Sequence, residues 1–111
     1  SNKTLAAMPY DGADIGNLPH DTAVLIPLLH SRTALLKTLS SSCGLTPQDM
    51  CGPKKDNDTA RKRWRAAYLL RRAGLSYPRI GRLLNQNHTA ALYGVKRFNA
   101  CIDAAKQMAA E

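Results

Sequence analysis

Cysteine is scarce. Cys43, Cys51 and Cys101 are the only three in 111 residues. So small and odd a number excludes a disulfide framework. No C-x-x-C occurs, and His20, His30 and His88 lie apart from the cysteines, so no metal site is expected. The plain expectation is a reduced, cytoplasmic protein. Long apolar runs are also lacking. The longest, residues 23–29, is interrupted by Pro27 and falls well short of the ~20 residues of a membrane span. No membrane partner is expected, and no stretch reads as a signal peptide. There is no G-x-x-x-x-G-K-[ST] loop, so no nucleotide and no other cofactor is expected. Paired carboxylates, a nucleophile–base pair and metal-ligand spacing are all missing, which argues against an enzyme. Phe, Trp and Tyr make up 5%. The core must therefore come from Ala, Leu, Ile and Val, and the interleaved aromatics of a single-strand binder are absent.

Acid is scarce as well. Eight Asp and Glu face sixteen Lys and Arg, a formal charge of +8. The imbalance is local: residues 54–97 hold twelve basic residues and two acids, and both flanks are slightly acidic. A surface chosen only for solubility would mix the signs. One concentrated cationic segment is the footprint expected of a nucleic-acid binder. Length and a 44% hydrophobic content fit one globular domain.

Residues 1–20 hold two Pro and two Gly without an apolar period, and read as a poorly ordered arm. The rest, residues 21–111, reads as helical. Asp21 or Thr22 can cap a first helix carrying Val24, Leu25, Leu28 and Leu29, bent or split at Pro27. Ser31 can cap a second, with Leu35, Leu36 and Leu39 on one face and Gly44 ending it. Thr46, Pro47 and Asp49 then start a one-turn helix. Residues 54–59 read as a polar loop. In the next helix Ala66, Leu69, Leu70 and Ala73 form the inward stripe, and Gly74 closes it. Trp64 and Tyr68 read as a packing pair, and Cys43 and Cys101 as small core residues. Ser76 starts a short helix with Pro78 in its first turn. Residues 85–87 turn, and the last helix carries Ala91, Val95, Phe98, Ile102 and Ala105 inward. No strand candidate survives, so the class is all-α, a bundle of five or six helices.

Residues 76–97 form a short helix, a polar turn and a longer helix, which is a helix-turn-helix. In such units the first turn of the second helix faces the major groove. Here that turn carries Asn87, His88 and Thr89. Their short polar side chains suit base edges, although Asn87 equally serves as a cap. Tyr93, Lys96 and Arg97 lie off the apolar stripe, where they would meet flanking phosphates. Lys54, Lys55, Arg61 and Arg79 are further candidates for contact with the DNA backbone. The leucine-rich residues 24–39 could offer a protein partner a surface, though core packing is their plainer use.

The segment from Ala60 to Phe98 resembles the C-terminal DNA-binding domain, domain IV, of the DnaA replication initiators. The landmarks are Ala67-Tyr68-Leu69, Leu75-Ser76 with Pro78, Ile80-Gly81, His88-Thr89 and Lys96-Arg97. Leu45-Thr46-Pro47-Gln48-Asp49-Met50 is similar to the family's segment before its basic loop. The resemblance covers about residues 32–100. It implies a Trp-repressor-like helix-turn-helix fold and a bacterial or phage, nucleoid-associated protein that binds double-stranded DNA in replication or transcription control. Carried over by position, Asn87, His88 and Thr89 would face bases, and Arg63, Trp64 and Pro78 would lie near the sugar-phosphate backbone. The sequence departs from the family at several points, and the helix before Gly74 is one residue shorter than usual. Asn87 replaces an Asp, Ala90 replaces a Thr, and the loop with Lys54 and Lys55 lacks the family's arginine. An altered sequence preference is expected. The family's ATPase is absent from these residues, so either an excised domain or a stand-alone relative is expected, the second being the preferred reading, and neither should hydrolyse anything.

Overall fold

The computed structural model describes residues 15–110. Among these described residues six α-helices follow one another: α1 (Leu18–Leu25), α2 (Arg32–Cys43), α3 (Pro47–Cys51), α4 (Asn57–Arg72), α5 (Tyr77–Leu83) and α6 (His88–Ala110). A single 3₁₀ turn, Ile26–Leu28, separates α1 from α2. No strand occurs among the described residues, so the chain is all-α.

Short polar side chains set most of the helix starts. Ser31 accepts from the Ala34 N–H at 3.3 Å, Thr46 from Asp49 at 3.1 Å and Ser76 from Arg79 at 3.3 Å. Each satisfies an amide that the helix leaves without an internal partner. Gly44 ends α2 in the left-handed conformation, φ 73°. Pro27 acts as the sequence implies, since α1 stops at Leu25 and the chain tightens into the 3₁₀ turn.

Two starts differ from the sequence reading. The first helix begins at Leu18, inside the stretch expected to be an arm, and Asn17 caps it by accepting from the His20 N–H at 3.2 Å. Asp21 is not a cap because its carboxylate pairs with Arg65. Residues 1–14 of the expected arm lie outside the described residues. The second difference is at α4, which starts at Asn57, within the expected polar loop. Asp56 caps it, accepting from the Thr59 N–H at 3.1 Å and from its hydroxyl at 2.7 Å.

The core is aliphatic, as the low aromatic content requires. Leu25, Leu35, Leu39, Met50, Leu69, Leu70, Ile80 and Leu84 are buried around the Ala66–Ala67 face of α4. Phe98 and Cys101 extend it along α6, with Tyr68 tilted against Phe98 at 5.0 Å. Trp64 and Tyr68 both pack against this Phe98–Cys101 end of the core. Ile102 and Ala105 are only half-buried, and Gly94 and Cys101 take the inward positions. Val24, expected inward, is exposed.

Arg65 is the one buried guanidinium in the core. It donates through Nε to the Ile15 carbonyl at 3.0 Å and through Nη1 to the carbonyl and hydroxyl of Ser42, both at 3.2 Å, and it pairs with Asp21. It fastens the start of the described chain to α2 and α4. Beside it, burial pushes the Cys43 thiol up to about 11. Burial also raises Cys51 and Cys101.

Candidate nucleic-acid interface

The unit α5–turn–α6 is held by backbone constraints. Asn85 sits at φ 57°, in the left-handed region that Asn tolerates better than most residues. The Gln86 N–H donates to the Gly81 carbonyl at 2.8 Å. A Cβ on Gly81 would lie 2.5 Å from the Gln86 carbonyl oxygen, so only glycine lets α5 come this close to the turn. The turn is also tied to α3: the Asn85 amide donates to the Cys51 carbonyl at 3.1 Å, and the Cys51 thiol donates to the Leu83 carbonyl at 3.4 Å.

Out of this corner comes the start of α6. Asn87 Oδ1 accepts from the Ala90 N–H at 2.7 Å, so Asn87 is the cap. Its amide nitrogen has no partner among the described residues. His88, Thr89 and Ala90 follow, all exposed. The opposite face of the same helix, with Ala91, Val95 and Phe98, is buried. The polar first turn is thus the outward side of a helix rigidly anchored from behind.

Cationic groups stand beside it. A cleft of about 480 Å³ runs between the start of α6 and the loop before α4, lined by Asn87 and Ala90 on one side and by Gly52, Lys55 and Arg63 on the other. Lys54 and Lys55 are exposed; Lys54 lies 4.0 Å from Asp56, and Lys55 has no partner among the described residues. Arg61 is half-buried, 3.7 Å from Asp58, which also takes Lys62 at 2.9 Å.

Trp64 joins α4 to α6. Its ring meets Tyr93 edge-on at 6.2 Å, and the Arg97 guanidinium lies over it at 5.1 Å. Tyr93 and Lys96 are exposed, and Arg97 is half-buried. Gly94 makes room for this junction, since a Cβ there would lie 3.3 Å from Trp64 Cδ1. Gly94 carries its own sequence signal, since a glycine inside a long helix marks a close approach.

Two of the proposed phosphate contacts are placed differently from expectation. Arg63 does not stand free: Nε donates to the Asp49 carbonyl at 3.0 Å, and Nη2 donates to the Asp49 and Gly52 carbonyls at 2.6 and 2.7 Å. It fixes the end of α3 and hence the lysine loop. Pro78 and Arg79 are exposed in the first turn of α5, but Arg79 lines a separate cleft with His30, Arg32 and Arg82.

An all-α fold, a glycine-tight helix-turn-helix and an exposed polar helix start beside a cationic loop define a DNA-binding helix-turn-helix domain. Residues 33–98 match the family described as the bacterial dnaA protein helix-turn-helix. That span exceeds half of the chain, and the chain belongs to this family. Comparison with curated proteins and with solved structures gave no match. No helix among the described residues is long and apolar enough to cross a membrane.

Proposed function

We propose that the domain reads duplex DNA sequence-specifically, in replication or transcription control, through the first turn of α6. The observation that carries this reading is the outward, uncommitted set of His88, Thr89 and the Asn87 amide nitrogen at an anchored helix start. Asn87 Oδ1 already accepts one hydrogen bond, so this side chain acts chiefly as a donor, suited to N7 or O6 of a purine. His88 donates to a purine acceptor. Thr89 and the exposed methyl of Ala90 meet a thymine methyl. Where an aspartate would accept from a cytosine amine, Asn87 donates, and the preferred base changes accordingly.

Lys54, Lys55, Arg61, Lys96 and Arg97 face phosphates on either side, with Trp64, Tyr93 and Pro78 against the sugar-phosphate backbone. Arg63 acts by positioning the lysine loop. The test is selection of bound duplexes from a random pool, repeated with His88→Ala. An enriched motif that changes at one position in the variant supports the reading, and an unenriched pool with the native protein defeats it.

A protein partner at the N-terminal helices is the second reading, favoured by the exposed Val24 and Ile26 on and just after α1. An adaptor that had lost its DNA role would show no salt-sensitive anisotropy change with random duplex DNA.

A further inference from the structure

We propose that the cleft between the start of α2 and the flank of α5 is a second anion site, built to take a phosphate group. It measures about 240 Å³, and its polar lining is His30, Arg32, Arg79 and Arg82. Leu35 and Leu83 form its apolar walls. Both leucines are buried, so the backbone carrying the guanidinium groups is fixed by the core.

The partners of these arginines are the telling feature. Arg63 is bonded to carbonyls, Arg65 to carbonyls and a carboxylate, and Arg71 to the Leu75 carbonyl. Arg32, Arg79 and Arg82 have no ion pair and no side-chain hydrogen bond among the described residues. Among the described residues, no carboxylate lines the cleft. Arg79 and Arg82, three apart on α5, share a face. The fold brings Arg32 to them from a segment nearly fifty residues earlier. Like charges gathered without a counter-ion repel one another. A phosphate between them removes that repulsion and accepts bidentate bonds from each planar guanidinium.

The cleft does not belong to the α6 reading surface. Gly81 packs against Gln86 and Asn87 at the head of α6, whereas Leu83 lines the cleft. Two residues along a helix are about 200° apart, which puts the two contacts on opposite flanks of α5. We therefore assign the phosphate to a group other than the duplex read by α6, and retention of single-duplex binding in the variant below checks this. The source is either a second nucleic-acid segment or a free phosphate compound, and both present the same group.

The first arm of the test is an NMR titration with inorganic pyrophosphate, following the Arg Nε–H signals and the His30 ring. We expect Arg32, Arg79, Arg82 and His30 to saturate together, before the lysine loop responds. An Arg32→Gln/Arg82→Gln double variant should weaken this binding by about tenfold per guanidinium lost. Arg32→Lys/Arg82→Lys should restore it only in part, because charge returns without the fork. Thermal melting by circular dichroism checks that the variants fold. The second arm asks whether a bead-bound duplex captures a second, labelled duplex through the protein. Capture lost in the Gln variant, with single-duplex binding retained, assigns the phosphate to a second DNA segment. Saturation without capture assigns it to a free compound. If these four residues do not saturate ahead of the lysine loop, or the Gln variant binds pyrophosphate as well as the native protein, the site is overturned.

Discussion

The Arg97 guanidinium lies 5.1 Å from the centre of the Trp64 ring, joining α6 to α4. The same ring supports Tyr93. Trp64 is thus the prop on which two outward groups of α6 rest. Trp64→Ala should lower stability by about 2 kcal/mol, below the range for a fully buried tryptophan because the ring is half-exposed. It should also weaken unrelated duplexes alike. Urea denaturation and anisotropy on two unrelated sequences measure the two effects separately.

Lys96 and His88 should separate charge from reading. Lys96→Ala should weaken all duplexes similarly and reduce the slope of log K against log salt by about one. His88→Ala should leave that slope nearly unchanged and remove about 1–3 kcal/mol of discrimination at one base pair. Competition binding across a salt series and a single-substitution library reads out both. Equal loss on every sequence with His88→Ala would remove it from base reading.

Asp21 keeps the buried Arg65 paired. Asp21→Ala leaves that charge with carbonyls and the Ser42 hydroxyl but no carboxylate, and should destabilise the fold by about 2–3 kcal/mol, less than for a wholly buried pair because Asp21 retains some water. Chemical denaturation measures it. Hydrogen exchange should quicken first in α1, which Arg65 ties down.

The Asp56 cap gives a pH signature. The two hydrogen bonds from Thr59, hydroxyl first, hold its carboxyl below the ordinary carboxylate value. A depressed pKa stabilises the fold above the unfolded value and is lost as the pH falls through the folded one. Native protein should therefore exceed Asp56→Ala in melting temperature at neutral pH, and the gap should close on acidification below about pH 4. Paired melting curves between pH 7 and pH 3 test this.

Gly94 sets the distance between α4 and α6. Gly94→Leu should push against Trp64 and destabilise by about 1–3 kcal/mol. Near-ultraviolet dichroism of the single tryptophan follows the displaced ring.

Much of this arrangement was legible in the residues. Ser31, Thr46, Ser76 and Asn87 are caps because a short polar side chain precedes each apolar period, and that signal is local. The starts of α1 and α4 are not legible locally, because several capping residues crowd together there. Asp56, Asn57 and Asp58 all qualify, and Asp21 was taken by an ion pair with a residue 44 positions away. Arginines were the least legible. In sequence Arg61, Arg63 and Arg65 look alike, yet Arg65 is buried and Arg63 grips a loop. Which way a guanidinium turns depends on carbonyls supplied by distant segments, and no local pattern encodes those. The gathering of Arg32 with Arg79 and Arg82 is hidden for the same reason.

The corner between α5 and α6 has no slack. Gly81 admits no side chain, and Asn85 already occupies a left-handed conformation. One inserted residue would rotate α6 by about 100° and turn its outward register toward the hydrophobic interior. If the proposed reading holds, descendants of this domain can acquire new targets by exchanging letters at positions 87–90, and not by lengthening the hinge that presents them.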